Sequence, residues 1–381
     1  MKRLAVVASH VIQYQDPFFR LLADDPEIDA TVFYCSRAGA EVYRDADMQT
    51  SLKWDIELLK GYRHVFLRNF GRGDGYARLI NPGVIPAIAH FDAVLFFLGW
   101  GTITSLLGIA ACRVTGTPFF LYGDSSFPPA EDSWPAKVRA LFLRGVFALA
   151  GGFMVSGKLN ADYYRHYGGD PRRFFLLPWA IDNERFATAS RFAPGEREAM
   201  RARFGIAPAQ VAFVFSAKLV ARKDPMTLLR AVARMRRRDR AAVLFLGHGE
   251  LREPLEAFAR EQGLHVTFAG FVNQADLPKH YAMCDAFVLP STYEPRGAVI
   301  NEAMACGLPV VVTDRCGSLG DIVQEHDNAF VYPAGDADAL ARALDALMDD
   351  GLRARMGQRS REIIAAWDYA RGVEGVKEAL R

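Results

Sequence analysis

Short apolar runs alternate with longer amphipathic stretches along almost the whole chain, and this alternation limits the possible folds more than any other feature. Such runs predict buried parallel strands, and the stretches between them predict crossover helices. The predicted strands of the first half span residues 4–8, 30–34, 93–98, 118–122, 152–156 and 174–177. Those of the second half span residues 211–216, 242–246, 265–268, 286–289, 309–313 and 329–331. The sequence therefore predicts an α/β protein built from two similar Rossmann-like halves.

The length of 381 residues exceeds one ordinary core and favours two domains. Residues 182–209 are rich in charged residues, proline and glycine, which predicts a linker. We therefore expect an N-terminal domain over residues 1–185 and a C-terminal domain over residues 186–360. A helix in residues 361–381 is expected to pack across to the N-terminal domain.

The overall charge is nearly balanced, because 46 basic residues face 44 acidic ones and leave a formal charge of +2. A balance of this kind gives no global field that would attract nucleic acid, so we predict no nucleic-acid partner. The five cysteines are odd in number and never form C-x-x-C, which argues against a disulfide framework or a zinc knuckle. The apolar run at the start of the sequence is too short for a signal peptide, and a cytoplasmic location is predicted.

Residues 93–112 contain no charged side chain and have the length of a membrane span. The sequence Gly99-Trp100-Gly101 interrupts this stretch, and Thr102 can cap a helix that follows it. We therefore predict a buried strand and a separate helix instead of a transmembrane segment.

A basic loop follows the predicted strand at residues 211–216. Lys218, Arg222 and Lys223 lie between this strand and a helix that begins at Asp224-Pro225. Strand-to-helix loops of parallel sheets bind phosphate groups, so these cations could neutralise a diphosphate. An ordinary solvated basic loop explains the same spacing equally well.

Two glutamates follow the predicted strand at residues 286–289. Glu294 lies in the loop, and Glu302 lies eight residues later in a short predicted helix that follows Gly297. Gly297 would let the backbone approach a phosphate, and the two carboxylates could bind ribose and sugar hydroxyls. For either glutamate taken alone, an ordinary surface charge would be the favoured interpretation.

Glu294-x7-Glu302, followed by Ala-Met-Ala-Cys-Gly-Leu-Pro-Val-Val-Val-Thr313, closely resembles the signature of the family 4 glycosyltransferases. These are retaining enzymes with the GT-B fold, in which two Rossmann-like domains face a central cleft. Further segments resemble family motifs in order and spacing, namely residues 217–223, 247–249, 270–281, 316–321 and 333–336. The resemblance is dense in the second half of the chain and weak in the first.

The resemblance implies a donor site for a nucleotide diphosphate sugar, which is a co-substrate, with no other cofactor and no bound metal. Lys218 and Lys223 would bind the diphosphate, Glu302 the ribose and Glu294 the transferred sugar, so that Lys223 and Glu294 would also be catalytic. The implied donor-binding residues are Lys218, Lys223, Gly247, Glu294, Arg296, Gly297, Ala298, Val299 and Glu302. The family transfers the sugar with retention, by front-face attack in which the leaving phosphate helps to take the acceptor proton.

Several positions depart from the family pattern. Lys218 replaces an arginine, and Arg296 replaces a frequent aromatic residue and could reach an acidic sugar or a phosphate. The usual Gly-Gly loop after the first strand is replaced by residues 9–15, and the family's first-domain histidine is not evident. Asp124 could replace this histidine as a catalytic residue or could cap the next helix. The predicted acceptor-binding residues are His10, Gln13, Asp124 and Ser125.

The sequence thus predicts a retaining glycosyltransferase that makes glycans, polysaccharides or glycoconjugates from a nucleotide diphosphate sugar and a hydroxyl acceptor. The acceptor could be a glycan, a lipid-linked molecule or a small molecule. A nucleotide-sugar epimerase, a sugar phosphorylase and a non-catalytic nucleotide-sugar sensor are the alternatives. A lipid-linked acceptor would place the enzyme at the inner face of the membrane. Residues 134–144 mix cations with bulky apolar side chains, although core packing is expected to explain most of these.

Overall fold

The computed structural model describes residues 1–41, 43–45, 50–72, 75–126 and 133–381. Contacts divide the chain into two compact units. Unit 1 comprises Met1–Tyr43, Ile56–Ala180 and Asp368–Arg381, and unit 2 comprises Arg44–Asp55 and Ile181–Trp367. The main division therefore lies at residue 181 and the return to unit 1 at residue 368, compared with the predicted boundaries at 186 and 361.

Strands and helices alternate in both units. The strands are β1 (Lys2–Ala8), β2 (Ile28–Tyr34), β3 (Tyr43–Asp45), β4 (Thr50–Leu52), β5 (Arg63–Phe66), β6 (Ala93–Phe96), β7 (Phe119–Tyr122), β8 (Gly152–Val155), β9 (Phe174–Leu176), β10 (Val211–Ser216), β11 (Ala241–Leu246), β12 (Val266–Gly270), β13 (Ala286–Leu289), β14 (Val310–Thr313) and β15 (Ala329–Tyr332). The α-helices are α1 (Asp16–Asp24), α2 (Val84–Ile88), α3 (Ile103–Thr115), α4 (Trp134–Leu149), α5 (Lys158–His166), α6 (Asn183–Ala189), α7 (Glu196–Arg203), α8 (Pro225–Arg234), α9 (Arg252–Glu261), α10 (Leu277–Ala282), α11 (Ala298–Ala305), α12 (Ala337–Ala346), α13 (Asp350–Ala365) and α14 (Tyr369–Leu380).

Unit 1 contains a parallel sheet with the strand order β5-β2-β1-β6-β7-β8-β9. The chain first winds outward from β1 to β5 and then returns to the other side of β1, which is the doubly wound Rossmann order. Alternate strand residues enter cores on opposite faces of the sheet, as Val7 and Val6 do. Helix α14 belongs to the core that contains Val6.

Helix α14 contacts α1 and β9 very closely because it has glycine at the point of contact. An ideal Cβ on Gly375 would lie 1.9 Å from the carbonyl oxygen of Leu176. Val373 and Val376 are buried beside this contact. The C-terminal helix is therefore an integral part of unit 1.

Unit 2 repeats the same architecture with a parallel sheet of strand order β12-β11-β10-β13-β14-β15. Every residue of β10, β11 and β13 is buried, as expected for central strands covered by helices on both faces. The prediction of an α/β protein with two Rossmann-like sheets is confirmed.

Each predicted strand overlaps an observed one, but the sequence missed the short paired strands β3 and β4 and the strand β5. This strand pairs with β2 at the edge of the first sheet, and its residues alternate between exposed and partly buried positions. An edge strand of this kind has no continuous apolar run to mark it.

The uncharged stretch at residues 93–112 folds as predicted into β6 and the separate helix α3. The Thr102 side chain caps α3 by accepting a hydrogen bond from the Ser105 amide at 3.0 Å. Over the part of the chain that the structure describes, every helix is too short or too polar to cross a bilayer.

Candidate active site

The candidate donor site of unit 2 lies at the carboxyl edge of its sheet. Strands β10 and β13 are neighbours there, with Val214 paired to Phe287. The chain reverses its winding between these two strands, and ligands of parallel α/β sheets bind at such a reversal point. The loop after β10 carries Lys218 and Lys223, and the loop after β13 carries Glu294.

Hydrogen bonds join these two loops directly. The Thr292 amide donates to the carbonyl oxygen of Arg222 at 3.0 Å. In return, Nη1 of Arg222 donates to the carbonyl oxygen of Tyr293 at 3.0 Å. Lys223 directly follows Arg222, and Glu294 directly follows Tyr293. These bonds therefore fix the positions of both residues.

Lys223 and Glu294 form an ion pair between the two loops. Their side chains are only 12% and 7% exposed, so the pair is largely shielded from water. Ser291 Oγ donates a further hydrogen bond to Glu294 Oε2 at 3.4 Å. The structure thus brings together two predicted site residues that are 71 positions apart in the sequence.

The backbone of Glu294 is held by the loop after β14. Its amide donates to the Arg315 carbonyl oxygen at 3.0 Å, and its carbonyl oxygen accepts from the Gly317 amide at 2.8 Å. Gly317 lies in the family-like segment 316–321, and Arg315 directly precedes it. The backbone of the loop after β14 therefore fixes the backbone of Glu294 through both its amide and its carbonyl oxygen.

Arg296 does not extend its guanidinium into solvent, where the sequence analysis expected it to meet an acidic sugar or a phosphate. The side chain is buried, and Nη1 lies 3.2 Å from Asp321 Oδ2 and 3.0 Å from the Gly317 carbonyl oxygen. A buried arginine needs such partners because an uncompensated charge would be costly. The side chain therefore links the loop after β13 to the loop after β14.

Gly297 forms the N-cap of α11 in the left-handed region, with φ of 72°. An ideal Cβ at this position would lie 3.0 Å from Ile300 Cδ1 and 3.2 Å from Glu294 Cγ. Glycine is therefore favoured both by the backbone angle and by the close packing. Ala298 and Val299 follow it in the first turn of α11, where free amide groups point out of the helix.

Glu302 lies further along α11 and is buried among a different set of side chains. Tyr281 Oη donates a hydrogen bond to Glu302 Oε2 at 2.9 Å and also interacts with the Ser216 side chain at the end of β10. Burial raises the pKa of Glu302 to about 7, although hydrogen bonds from Tyr281 and Gln274 and the charge of Arg185 act in the opposite direction. Glu302 is thus linked through Tyr281 to the same sheet edge as Lys218.

The sequence analysis missed the residues that surround Glu302. Arg185 holds Gln274 by two hydrogen bonds of 2.7 Å, to its backbone oxygen and to its side-chain oxygen. Tyr281 falls within the family-like segment 270–281, so it could have been identified there. Arg185 lies in the predicted linker, and no local pattern marked it.

Gly247 directly follows β11 and packs its backbone against the loop after β10 and the end of β12. Its amide donates to the Gly270 carbonyl oxygen at 2.7 Å, and an ideal Cβ would lie 2.1 Å from the Ala217 carbonyl oxygen. The next loop residue, His248, accepts a 2.8 Å hydrogen bond from Leu219 through its carbonyl oxygen. Gly247 therefore allows the loop that carries Lys218 to pack closely.

Unit 1 has a cavity of about 470 Å³ at the corresponding edge of its own sheet. Residues after β1, β6 and β7 line it, which places the cavity at the point where the winding of this sheet reverses. Its aromatic lining residues are Tyr14, Tyr76, Phe97, Trp100, Tyr122 and Trp179. The ring of Trp179 lies between those of Tyr14 and Tyr122, at centroid distances of 5.4 and 6.0 Å.

Two of the predicted acceptor residues, Asp124 and Ser125, line this cavity. His10 and Gln13 belong to the loop after β1 but are not among its lining residues, which are Ser9, Ile12, Tyr14 and Gln15 in this loop. Asp124 does not cap the next helix, because the side chain of Ser133 caps α4.

The loop that carries Asp124 and Ser125 is held by a buried asparagine that the sequence analysis missed. Asn160 Nδ2 donates to the carbonyl oxygens of Gly123 and Ser125 at 3.1 and 2.7 Å. Its Oδ1 accepts from the Ser156 amide at 3.0 Å. Asn160 therefore connects the loop after β7 to the end of β8.

The sequence pattern of the family described as "Glycosyl transferases group 1" matches residues 196–363, which lie within unit 2. Unit 2 belongs to the group 1 glycosyltransferases. An uncharacterised glycosyltransferase of Methanocaldococcus jannaschii is 34% identical over 157 residues, covering 41% of this chain and 40% of the relative. A GDP-mannose-dependent alpha-(1-6)-phosphatidylinositol monomannoside mannosyltransferase of Mycolicibacterium smegmatis is 35% identical over 188 residues, covering 47% of this chain and 48% of the relative. The matches thus span about half the length of these relatives.

The likeness to solved structures covers both units. The crystal structure of Anabaena HepE in complex with UDP aligns with a TM-score of 0.75 and 19% identity, covering 100% of this chain and 99% of that one. At this identity the comparison establishes the fold. The predicted GT-B fold class is confirmed.

Proposed function

We propose that this chain is a retaining, metal-independent glycosyltransferase that moves a sugar from a nucleotide diphosphate sugar to a hydroxyl acceptor. The observation that carries the proposal is the shielded Lys223–Glu294 pair at the edge where the winding of the second sheet reverses. Its position within the segment that matches the group 1 glycosyltransferases supports the assignment.

The donor would bind to unit 2 with its diphosphate near Lys218, Lys223 and the first turn of α11. Cations and free helix amides stabilise the negative charge that develops on a leaving diphosphate, and they can do so without a metal ion. Glu294 would bind hydroxyls of the transferred sugar, because its carboxylate lies beside Lys223 and is held by two backbone hydrogen bonds. Glu302 would bind the ribose, next to Tyr281.

In the proposed reaction, the bond between the anomeric carbon and the diphosphate oxygen breaks, and a bond to the acceptor oxygen forms on the same face. The acceptor proton passes to the leaving diphosphate, so the products are the glycosylated acceptor and the nucleoside diphosphate. Lys223 would stabilise the leaving group as its charge increases. This role is consistent with the burial of its side chain, because shielding from water strengthens charge interactions.

The acceptor would bind in the cavity of unit 1, with Asp124 and Ser125 accepting and donating hydrogen bonds to its hydroxyl groups. The aromatic lining favours a sugar acceptor, since ring faces such as that of Trp179 can pack on the apolar faces of a pyranose. Asp124 would orient the attacking hydroxyl. We expect Trp179→Ala to raise the KM for acceptor by at least about tenfold, consistent with the loss of one aromatic contact, and to leave donor affinity unchanged.

A donor screen tests the proposal. A nucleotide diphosphate sugar that binds the native protein should raise its Tm, and the shift should grow with the logarithm of the ligand concentration relative to its Kd. Glu302→Ala should abolish this shift, Glu294→Gln should lower turnover without unfolding the protein, and Glu253→Ala on the exposed side of α9 is the matched control. Wild-type binding and turnover in both site variants would refute the assigned roles.

Product analysis separates the alternative activities. Transfer should give a product whose anomeric configuration, measured by NMR, equals that of the donor, and its rate should survive treatment with EDTA. Conversion of the donor alone into an isomer would show an epimerase, and cleavage by inorganic phosphate would show a phosphorylase. Tight donor binding without any turnover would show a sensor.

A further inference from the structure

Helix α4 has an apolar face that points away from the core of unit 1. Its inward residues Leu143, Val146 and Phe147 are buried in the core beneath the helix. Its outward apolar residues, here called the outward face, are Trp134, Val138, Leu141, Phe142 and Leu149. They recur at the spacing of one side of a helix. The expectation that core packing explains most of the bulky residues at 134–144 is therefore wrong.

The exposure of this face is large. Trp134 is 77% exposed and Leu141 71% exposed. A helix that is apolar on both sides is normally buried on both sides, so the outward face of α4 calls for a second apolar or interfacial environment.

The neighbouring helix α3 adds to the same side of the molecule. Both helices pack into the same core on one face of the first sheet, and they follow the adjacent strands β6 and β7. Ile103, Leu106 and Val114 are exposed on α3. The apolar surface therefore extends beyond a single helix.

The charges on these two helices are all positive. Helix α4 carries Lys137, Arg139 and Arg144, helix α3 carries Arg113, and neither of these fully described helices contains an acidic residue. Exposed tryptophan, phenylalanine and leucine interleaved with cations are typical of helices that lie in the interface of an anionic bilayer. A symmetric contact between two copies would instead place like charges against one another.

We propose that the outward face of α4, together with the exposed side of α3, docks the protein on an anionic lipid surface. The apolar side chains enter the boundary between headgroups and acyl chains, and the cations contact the lipid phosphates. This inference goes beyond the proposed sugar transfer and does not depend on it, because binding to a bilayer requires no donor or acceptor. A membrane-bound enzyme would meet a lipid-linked acceptor without having to extract it from the bilayer.

Co-sedimentation of the full chain with vesicles tests the proposal. Vesicles of phosphatidylcholine with phosphatidylglycerol should retain the protein, and those of phosphatidylcholine alone should retain much less. Leu141→Gln should weaken the partition by about fivefold or more, and Lys137→Gln with Arg113→Gln should weaken it by a similar factor that shrinks in high salt. Leu21→Gln is the matched control, because Leu21 is 39% exposed on α1, which packs on the opposite face of the sheet.

Fluorescence of Trp134 provides a local readout. Binding should shift the emission of the wild-type protein to shorter wavelength, whereas Trp134→Phe should still sediment with vesicles and lose most of this shift. Equal retention by zwitterionic and anionic vesicles, or wild-type retention of Leu141→Gln, would overturn the proposal. A dimer that forms without lipid and dissociates in Leu141→Gln would overturn it in favour of self-association.

Discussion

Lys223 and Glu294 form a shielded ion pair although they follow different strands of the second sheet. The pair depends on the reversal of winding between β10 and β13, which brings the two loops to one edge. It also depends on the hydrogen bonds between Arg222 and the residues before Glu294. The ion pair therefore links the architecture of the sheet to the proposed donor site.

Removing one member of this pair should cost more stability than removing both. Lys223→Met leaves a buried carboxylate without its cation, and we expect a loss of about 3 kcal/mol. In the double variant Lys223→Met with Glu294→Gln, no uncompensated charge remains, so part of this loss should be recovered. The coupling is measured by urea denaturation of the wild type, the two single variants Lys223→Met and Glu294→Gln, and the double variant. Purely additive losses of stability would contradict the pairing.

Gly297→Ala should impair donor binding in addition to stability. Gly195→Ala is a matched control, because Gly195 has φ of 77° against 72° for Gly297 but has no neighbour within 4 Å of an added Cβ. Both substitutions should cost about 1 kcal/mol for the left-handed backbone angle. Only Gly297→Ala should raise the Kd for donor, since its Cβ would press on Glu294 and Ile300. Isothermal titration checks this, and an equal Kd in the two variants would contradict it.

Glu302 should make the stability of the protein depend on pH. Because its pKa is raised from 4.5 to about 7, the folded state keeps the proton at pH values where the unfolded chain has lost it. The contribution is therefore fully present below about pH 4.5 and is lost as the pH rises through 7, by at most about 1.4 kcal/mol per pH unit. Urea denaturation at several pH values should show this loss in the wild type and a smaller one in Glu302→Gln.

Tyr281→Phe sharpens this test. The Tyr281 hydroxyl stabilises the charged form of Glu302, so its removal should raise the pKa of Glu302 further and extend the pH-dependent loss to higher pH. Identical pH profiles for the wild type, Glu302→Gln and Tyr281→Phe would show that Glu302 does not titrate in this range.

Asn160 should affect use of the acceptor without affecting the donor. Asn160→Asp can retain the hydrogen bond from Ser156 but loses both donors to the loop at Gly123 and Ser125. We expect a stability loss of about 1–3 kcal/mol, because the partly buried carbonyl oxygens of Gly123 and Ser125 lose their hydrogen bonds from Asn160. The KM for acceptor should rise, and the Kd for donor should stay at the wild-type value. A change in donor affinity would argue against a role limited to the acceptor loop.

Much of the fold could be predicted because it depends on local patterns. Buried strands such as β10 and β13 are continuous apolar runs, and their bounds were predicted to the residue. The strand β5 was missed because it lies at the edge of the sheet, where it pairs on one side only. Its residues therefore alternate between more and less exposed positions and form no continuous apolar run. The candidate donor loops were predicted from motifs that are contiguous in sequence.

The surroundings of the predicted residues could not be derived in the same way. Arg296 was expected to reach a ligand, but its partner Asp321 comes from a different loop. The environment of Glu302 depends on Tyr281 and Arg185, which lie on two other helices. Such contacts follow from how helices pack on the sheet, which the sequence of any one segment does not specify.

The sequence by itself determined the alternation of strands and helices, the two similar halves and the order of the donor motifs, since periodicity and motif spacing are properties of contiguous residues. Tertiary structure alone decided that Lys223 meets Glu294, that Glu302 is buried beside Tyr281, and that Asp124 lines a cavity together with aromatic residues. It also decided that the outward face of α4 remains uncovered within the described residues of unit 1. The physical reason is that strand order and helix packing choose the neighbours of each side chain, and these neighbours set its burial, charge and chemistry.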